Sequence, residues 1–234
     1  MVGALRLPLR FDADLLLRDV RVVEERARWI DHWAGTPGDW TVIPLVTSTG
    51  EHRRFGDTHF TAGLGKPTRL LAEAPHIQAA VADFRAPILH ARLNRLAPHG
   101  SIHPHRDFGY YGGRRFSFER GCIRVHIPIL TNEKVQFVLD GARLDMRPGE
   151  AWYVNVCETH AVENASDCER IHLVLDVELN DWLRQMFPPE SMSDKVRGAL
   201  LRRYEPTMWW ILRKLKPGGG ALQRPPSLRA RAKR

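Results

Sequence analysis

Short apolar runs separated by turn-forming residues fill the sequence from residue 88 to residue 177, and this pattern constrains the fold more than any other feature. The runs have the length and composition of β-strands and lie at 88–96, 122–130, 135–139, 142–146, 151–156 and 171–177. Asp140-Gly141 is a typical hairpin turn, and Pro148-Gly149 is a second turn sequence. Many short strands joined by tight turns predict an antiparallel β-barrel or jelly roll.

Helices are expected on both sides of this strand-rich segment. Apolar residues at Val20, Val23, Ala27 and Ile30 recur at helical spacing, which predicts a helix over 18–33. Similar spacing predicts a helix over 74–84, and a helical region is expected to begin at 180–186. Trp40–Thr47 has the composition of a further strand, and the polar stretch 51–67 is expected to be a long loop.

The chain of 234 residues is long enough for one domain with a sizeable core. We predict a mainly β domain with flanking helices over residues 1–187 and a C-terminal helical extension over 188–216. Residues 217–234 are rich in glycine, proline and arginine and have too few apolar residues to form a core. This composition predicts a disordered basic tail.

The positive charge of the chain is concentrated at its C-terminus. The net charge is +8, but residues 201–234 contain ten Lys and Arg and only one acidic residue. The first 200 residues therefore carry a net charge of −1. A body without excess positive charge gives no reason to expect nucleic acid as a partner.

Composition also indicates where the protein is located. No apolar run approaches the roughly 18 residues that a spanning helix needs. The first residues, MVGALRLPLRFDADLLL, are interrupted by Arg, Pro and Asp and do not resemble a signal peptide. Cys122, Cys157 and Cys168 show no CxxC spacing, which is typical of reduced thiols. We therefore expect a cytoplasmic protein.

Three residues form a candidate metal site. His105 and Asp107 are two positions apart, and in an extended strand such residues share a face. His160 follows at the start of a later strand-like run. Two histidines and one carboxylate can bind Fe(II) and leave positions open for other ligands. The alternative is a His–Asp hydrogen bond on a polar loop, with His160 at the surface.

Two arginines stand in otherwise apolar strands. Arg124 alternates with His126 in the run 122–130, and Arg170 alternates with His172 in the run that follows it. Burial of an unpaired charge is very costly, so each guanidinium needs a partner. A carboxylate ligand bound by a two-pronged hydrogen bond satisfies this need. The alternative is an internal pair with an acidic residue such as Asp176 or Glu169.

The sequence resembles the aspartyl/asparaginyl β-hydroxylase family of Fe(II)/2-oxoglutarate oxygenases. The resemblance is to the bacterial branch of this family, which includes proline cis-hydroxylases. Five blocks carry the resemblance in order: IHPHRD (102–107), RVHIPILTN (124–132), PGEAWYVN (148–155), HAVEN (160–164) and RIHLVLD (170–176). The resemblance extends more weakly to residues 38–50. It implies a double-stranded β-helix, which is a cupin-like jelly roll.

The resemblance also implies a role for individual residues. His105 and His160 would bind Fe(II), and Asp107 would be the carboxylate ligand, as in the bacterial relatives. Arg170 would pair with the far carboxylate of 2-oxoglutarate, assisted by Arg124 and His126. The animal enzyme that names the family lacks the carboxylate ligand. It also has a shorter segment between the positions of Asp107 and Arg124, so its substrate cannot be carried over.

The implied reaction is hydroxylation of an unactivated C–H bond with consumption of O2 and 2-oxoglutarate and release of succinate and CO2. The substrate would be an amino acid or an amino-acid residue resembling Asp, Asn or Pro, which is free, in a peptide or bound to a carrier, for example in natural-product biosynthesis. One alternative is hydroxylation of a lipid acyl chain. Another is a cupin-like metal- or ligand-binding protein without oxygenase activity.

Two further segments are candidates for contact with a substrate or a membrane. Tyr110, Tyr111 and Arg114 lie in a glycine-rich segment that follows Asp107 and are candidates to close over the substrate, or they belong to a solvated basic loop. Residues 208–216 (MWWILRKLK) combine aromatic and basic side chains, which suits peripheral contact with a membrane surface or with a peptide partner. The alternative for this segment is a packed C-terminal helix.

Overall fold

The computed structural model describes residues 3–32, 38–53, 64–107 and 116–215. Twelve strands in these ranges are β1 (Ala4–Arg10), β2 (Ile30–Asp31), β3 (Trp40–Thr47), β4 (Lys66–Pro67), β5 (Ile88–Leu96), β6 (Ser101–His105), β7 (Cys122–Leu130), β8 (Val135–Leu139), β9 (Ala142–Leu144), β10 (Glu150–Val154), β11 (His160–Asn164) and β12 (Arg170–Glu178). Five helices in these ranges are α1 (Ala13–Arg26), α2 (Arg69–Ala72), α3 (Pro75–Asp83), α4 (Asp181–Arg184) and α5 (Met192–Leu215).

The strands form two antiparallel sheets. The large sheet has the order β1-β10-β7-β12-β5-β3-β2, with β4 paired to β3. The small sheet has the order β6-β11-β8-β9. Strands that follow one another in sequence are repeatedly placed in different sheets, as in a jelly roll. The predicted fold class, a mainly β chain with flanking helices, is confirmed.

Alternate residues of the central strands have different surroundings, because successive side chains of a strand point to opposite faces. One face of the large sheet packs against α1 and α3 and forms the larger apolar core, with Val125, Leu173 and Leu175 among its members. A second apolar cluster combines residues of both sheets, such as Leu96, Phe137 and Val162. The second cluster therefore lies in the interior between the sheets.

The same alternation places charged side chains at buried positions. In β12, Ile171, Leu173 and Leu175 belong to the larger core, and the intervening positions include the buried polar residues Arg170 and His172. Arg92 and Asn94 in β5 and Arg124 and His126 in β7 are buried by the same parity. Burial of Arg124 and Arg170 in apolar strands was predicted from the sequence, whereas burial of Arg92 was not.

The predicted hairpin is confirmed. Asp140 and Gly141 have φ angles of 46° and 82°, and β8 pairs with β9 on either side of them. Positive φ at both central residues is the geometry of the tight turn that matches the twist of two antiparallel strands. β9 is shorter than the run 142–146 that the sequence predicted.

The predicted helix over 18–33 is misplaced. α1 starts at Ala13, because the side chain of Asp12 accepts hydrogen bonds from the backbone N–H groups of Asp14 and Leu15 and caps the helix. It ends at Arg26, and Ile30–Asp31 instead forms a short strand beside β3. The apolar spacing continued past the end of the helix, so spacing alone did not mark the boundary.

Other predictions concern the remaining segments. Residues 54–63 of the expected loop, and Tyr110, Tyr111 and Arg114, lie outside the described residues. α5 lies within the predicted helical extension, and the domain boundaries themselves stay a prediction. Within the described part of the chain, no helix has the length and apolarity required to span a membrane.

Candidate metal centre

Three side chains bring metal-binding atoms together where β6 and β11 meet. His105 ends β6, and His160 begins β11 directly opposite it in the strand pairing. Asp107 follows two residues after His105, and one ligand atom from each of the three lies within 4.8 Å of the others. The structure thus brings the three predicted residues together, and metal binding by them stays a prediction.

Hydrogen bonds fix the protonation pattern of both histidines. Nδ1 of His105 is 2.8 Å from the carbonyl oxygen of His103, and Nδ1 of His160 is 3.0 Å from the carbonyl oxygen of Glu158. A carbonyl only accepts, so both Nδ1 atoms carry hydrogen and both Nε2 atoms are free to bind a metal. Nε2 of His105 is buried and has no hydrogen-bond partner among the described residues. A metal ion between the three side chains would give this Nε2 a partner.

Asp107 is oriented by its neighbours. Its Oδ1 lies 3.6 Å from Nε2 of His105, whereas its Oδ2 accepts a hydrogen bond from Nη1 of Arg124. Burial favours a higher pKa for Asp107, but the positive charge of Arg124 holds the pKa below its usual range. The carboxylate is therefore ionised. Two neutral imidazoles and one carboxylate are the ligand set that suits non-haem Fe(II).

Arg124 is paired within the chain. Its Nε and Nη2 donate to the two carboxylate oxygens of Asp176 at 2.6 and 3.0 Å, and its Nη1 donates to Asp107. Asp176 is fully buried and also lies 3.4 Å from Nη1 of Arg92. The internal-pair alternative therefore describes Arg124. Its assistance in binding 2-oxoglutarate stays a prediction, but its charge is already balanced.

Arg170 has no acidic partner among the described residues. It is 2% exposed, and burial lowers its pKa to about 9 with no carboxylate acting in the opposite direction. Asp176 is occupied by Arg124 and Arg92, and Glu169 pairs with Arg21. A guanidinium that is buried without a counter-charge favours binding of an anion, because the anion supplies the missing charge and hydrogen-bond acceptors.

His172 supplies a second buried donor that the sequence prediction missed. Nη2 of Arg170 is 2.7 Å from Nδ1 of His172. A guanidinium only donates, so Nδ1 is the acceptor and the hydrogen of His172 is on Nε2. Both this Nε2 and Nε of Arg170 are buried without a hydrogen-bond partner in the described residues. The alternation of His172 with Arg170 was the available signal.

A cavity of about 400 Å³ opens onto Arg170 and His172. Phe137 also lines it, and the ring of Phe137 stacks on His160 with centroids 6.1 Å apart. His126 contacts the rings of both Phe137 and His172, and burial lowers its pKa well below the usual value. The ring of Phe137 thus contacts both the cavity and one of the candidate metal ligands.

His103, His90 and His99 do not belong to the group of candidate metal ligands. His103 contributes its backbone carbonyl to His105, and its side chain is exposed. His90 is buried 3.1 Å from Arg92, and His99 is an exposed partner of Asp167. Trp40, which the sequence prediction did not select, packs 5.8 Å from the ring of His105.

Comparisons with known proteins agree with this geometry. The family model described as aspartyl/asparaginyl beta-hydroxylase matches residues 13–179. A 2OG-Fe(II) oxygenase family oxidoreductase from Burkholderia pseudomallei has a similar structure, with a TM-score of 0.50 and 18% identity over 75% of this chain and 84% of that one. This likeness shows the fold, so the predicted double-stranded β-helix is confirmed.

Two further solved structures are similar at lower scores. HygX from Streptomyces hygroscopicus, solved with nickel and 2-oxoglutarate bound, has a TM-score of 0.46 and 11% identity over 76% of this chain and 84% of that one. A cupin domain from Bordetella pertussis has a TM-score of 0.29 and 16% identity over 38% of this chain and 81% of that one.

Proposed function

The chain belongs to the aspartyl/asparaginyl β-hydroxylase family, and on that premise we propose that it hydroxylates an unactivated C–H bond of an amino acid or an amino-acid residue. It is an oxidoreductase of the type that uses Fe(II) and 2-oxoglutarate. One oxygen atom of O2 enters the new hydroxyl group. The other enters succinate, which forms from 2-oxoglutarate with loss of CO2.

The observation that supports this proposal is a metal-ligand group at the small sheet and an uncompensated buried arginine in the large sheet, with the ring of Phe137 in contact with both sites. In the proposal His105, Asp107 and His160 hold Fe(II), which supplies activation of O2 when it is bound. Arg170 and His172 donate to the far carboxylate of 2-oxoglutarate. A metal-binding protein without this co-substrate has no use for a buried, unpaired guanidinium.

Two aromatic residues pack beside the candidate metal ligands and shield them from water. The ring of Phe137 stacks on His160, and Trp40 packs beside His105, so apolar surface surrounds the ligand imidazoles. Apolar walls exclude water, which would otherwise compete for the reacting groups. The reaction removes a hydrogen from carbon without a general base, so we assign no acid or base to the chain.

Several substrates share this chemistry. We propose an Asp-, Asn- or Pro-like amino acid, which is free, in a peptide or on a carrier, as in natural-product biosynthesis. A lipid acyl chain remains the alternative. The cupin-like alternative without oxygenase activity does not agree with the family to which the chain belongs. Cys122, Cys157 and Cys168 form no disulfide with one another, which supports the proposal of a cytoplasmic protein, and no nucleic-acid partner is proposed.

The test is turnover of 2-oxoglutarate by the purified protein with Fe(II) and ascorbate. Slow succinate formation is expected alone and faster formation with the correct substrate. A mass-spectrometric screen of amino acids and peptides for the gain of one oxygen atom identifies that substrate. His160→Ala should remove turnover, whereas His99→Ala, at an exposed position away from the site, should retain it. Unchanged turnover in His160→Ala contradicts the ligand assignment.

A further inference from the structure

α5 carries a strip of apolar side chains that the rest of the described chain does not cover. Met192, Val196, Leu200 and Tyr204 are 73%, 55%, 52% and 58% exposed. They recur every four residues and therefore lie along one side of the helix. These four residues are called the α5 strip below. A continuous exposed apolar strip on a folded domain indicates an interaction surface.

The opposite side of α5 packs against the domain. Gly198 is buried, and α5 contacts the short 3₁₀ turn Phe118–Arg120. At about 100° per residue, Val196 and Leu200 each point roughly 160° away from Gly198. The α5 strip therefore faces away from the domain and is free to meet a partner.

The positive charge of α5 and of the residues after it indicates which partner the α5 strip binds. Residues 192–204 contain four basic residues and one acidic residue, and the chain beyond residue 200 carries a net charge of +9. Pairing of this strip with a second copy would bring two basic segments together, which is unfavourable. The first 200 residues are nearly neutral, so an anionic partner would be attracted mainly to the C-terminal end.

We propose that α5 binds the surface of an anionic phospholipid bilayer, with the α5 strip inserted among the acyl chains. Lys195, Arg197 and Arg203 are exposed next to the strip and would contact the headgroups. An amphipathic helix with a basic polar side is suited to this position in the interface. The strip offers no enclosed groove in which a folded acidic protein would be held.

Sedimentation of the full-length protein with vesicles tests the proposal. Vesicles of phosphatidylcholine with phosphatidylserine should bind the protein, binding should weaken with added salt, and phosphatidylcholine alone should bind it poorly. The double variant Val196→Glu/Leu200→Glu should bind more than about tenfold more weakly, because two apolar side chains no longer enter the bilayer. Val22→Glu, at an exposed position on α1, is the matched control.

Three outcomes overturn the proposal. The first is absence of binding to the anionic vesicles. The second is unchanged binding of the double variant, which would mean that the basic tail acts alone. The third is a concentration-dependent dimer that the double variant abolishes, in a protein that does not bind vesicles. Circular dichroism and melting of the double variant should match the parent, because both positions are exposed.

Asp176 is the subject of a second inference, which rests on the proposed function. Asp176 lies directly opposite Arg124 on β7 and opposite His90 on β5. Its two oxygens accept both donors from one edge of the Arg124 guanidinium. Arg92, which is itself bonded to Asn94, approaches the same carboxylate. Three neighbouring strands therefore fix the position of the Arg124 guanidinium.

We propose that Asp176 is a positioning residue that acts through Arg124 on Asp107. The third donor of Arg124 holds Oδ2 of Asp107, and Oδ1 lies 3.6 Å from Nε2 of His105. A carboxylate held in this way would offer a metal its Oδ1 and keep Oδ2 on Arg124, so Asp107 would leave room for other ligands.

Metal affinity tests this second proposal without turnover. Asp176→Asn should weaken binding of Co(II), as a stand-in for Fe(II), by about 10–100-fold and change its visible spectrum. Because loss of one partner leaves Arg124 buried and unpaired, the double variant Arg124→Met/Asp176→Leu is needed as well. It removes the Arg124–Asp176 pair but also takes Asp176 from Arg92, so circular dichroism first checks that the fold is kept. The folded double variant should still bind Co(II), but more weakly than the parent.

Asp19→Asn is the matched control, because Asp19 is a buried carboxylate that bonds the backbone N–H groups of His76 and Ile77, away from the metal ligands. It should lower stability and leave Co(II) affinity unchanged. Parent-like Co(II) affinity and spectrum in the folded double variant overturn the positioning role. If His160→Ala also fails to change Co(II) binding, the metal site itself is wrong, which separates the two failures.

Discussion

Arg170 donates to Nδ1 of His172 across 2.7 Å, and this contact leaves two buried N–H groups, one on each residue, without an acceptor among the described residues. Both residues line the cavity of about 400 Å³. The interior thus contains a positive charge with two unused donors. An anion with two oxygen atoms, such as the far carboxylate of 2-oxoglutarate, supplies the missing acceptors.

Replacement of Arg170 should separate ligand binding from stability. We expect Arg170→Met to raise the KM for 2-oxoglutarate by about a hundredfold or more, because a charge-assisted pair in a dry site is lost. The same change should raise the free energy of unfolding of the protein without ligand, since an unpaired buried charge is removed. Steady-state kinetics and urea unfolding measure the two effects. Arg143→Met, in the same cavity but exposed, should change neither strongly.

2-Oxoglutarate should stabilise the metal-loaded protein. At a concentration about 100 times its Kd, the gain in the free energy of unfolding should be about 2.7 kcal/mol. Thermal melting with and without 2-oxoglutarate measures this gain. Succinate, which keeps the carboxylate for Arg170 but lacks the 2-oxo group, should give a smaller shift. An equal shift in Arg170→Met would contradict the role of Arg170.

Loss of a ligand histidine should abolish tight metal binding. We expect His105→Ala to weaken Co(II) binding by more than the roughly 10–100-fold that loss of an outer hydrogen-bond partner costs. The reason is that Nε2 of His105 is buried and positioned beside Oδ1 of Asp107. Titration followed by visible absorption measures the affinity. His103→Ala should bind normally, since His103 acts through its backbone carbonyl.

Stability should fall as the pH is lowered below about 6.5. Burial lowers the pKa of His126 and of His172 well below the usual value, so the unfolded chain takes up protons that the folded chain does not. Each group then costs about 1.4 kcal/mol per pH unit below about 6.5, until the folded form also protonates. Urea unfolding at several pH values measures the slope, and His172→Gln should reduce it by about one proton. His99→Gln, at an exposed position, should leave the slope unchanged.

Deletion of residues 217–234 should leave turnover of 2-oxoglutarate unchanged. The metal ligands and the residues proposed to bind 2-oxoglutarate all lie between His105 and His172. The deletion removes basic charge and leaves the α5 strip in place. Succinate formation by the shortened chain is the measurement. A large loss of activity would assign the tail a role in catalysis that the present proposal does not include.

The sequence was informative where a single strand carries the signal. Charged residues at alternate positions of β7 and β12 correctly predicted buried arginines. The short spacing of His105 and Asp107 indicated that they lie close together, although β6 ends at His105 and Asp107 lies just beyond the strand. Both signals depend on one chain segment. They do not require knowledge of which strands are neighbours.

Pairing between strands could not be predicted in the same way. Arg124 and Arg170 looked equivalent in sequence, but Asp176 stands opposite Arg124 in the register of β12 and β7 and so pairs with it. Arg170, at the other end of β12, has no acidic residue opposite it in that sheet. The difference between an arginine that is paired within the chain and one that has no acidic residue opposite it therefore arises from register, which no local pattern contains.

The alternation along β12 has an evolutionary consequence. Leu173 and Leu175 support the core, and Arg170 and Asp176 serve the site, on opposite faces of the same nine residues. Insertion of one residue within the strand would turn every later side chain to the wrong face. New specificities in such a chain must therefore arise by substitution within the strands or by changes of length in the connections between them. The length and register of β12 must therefore be conserved, because they determine both the packing of the core and the positions of the site residues.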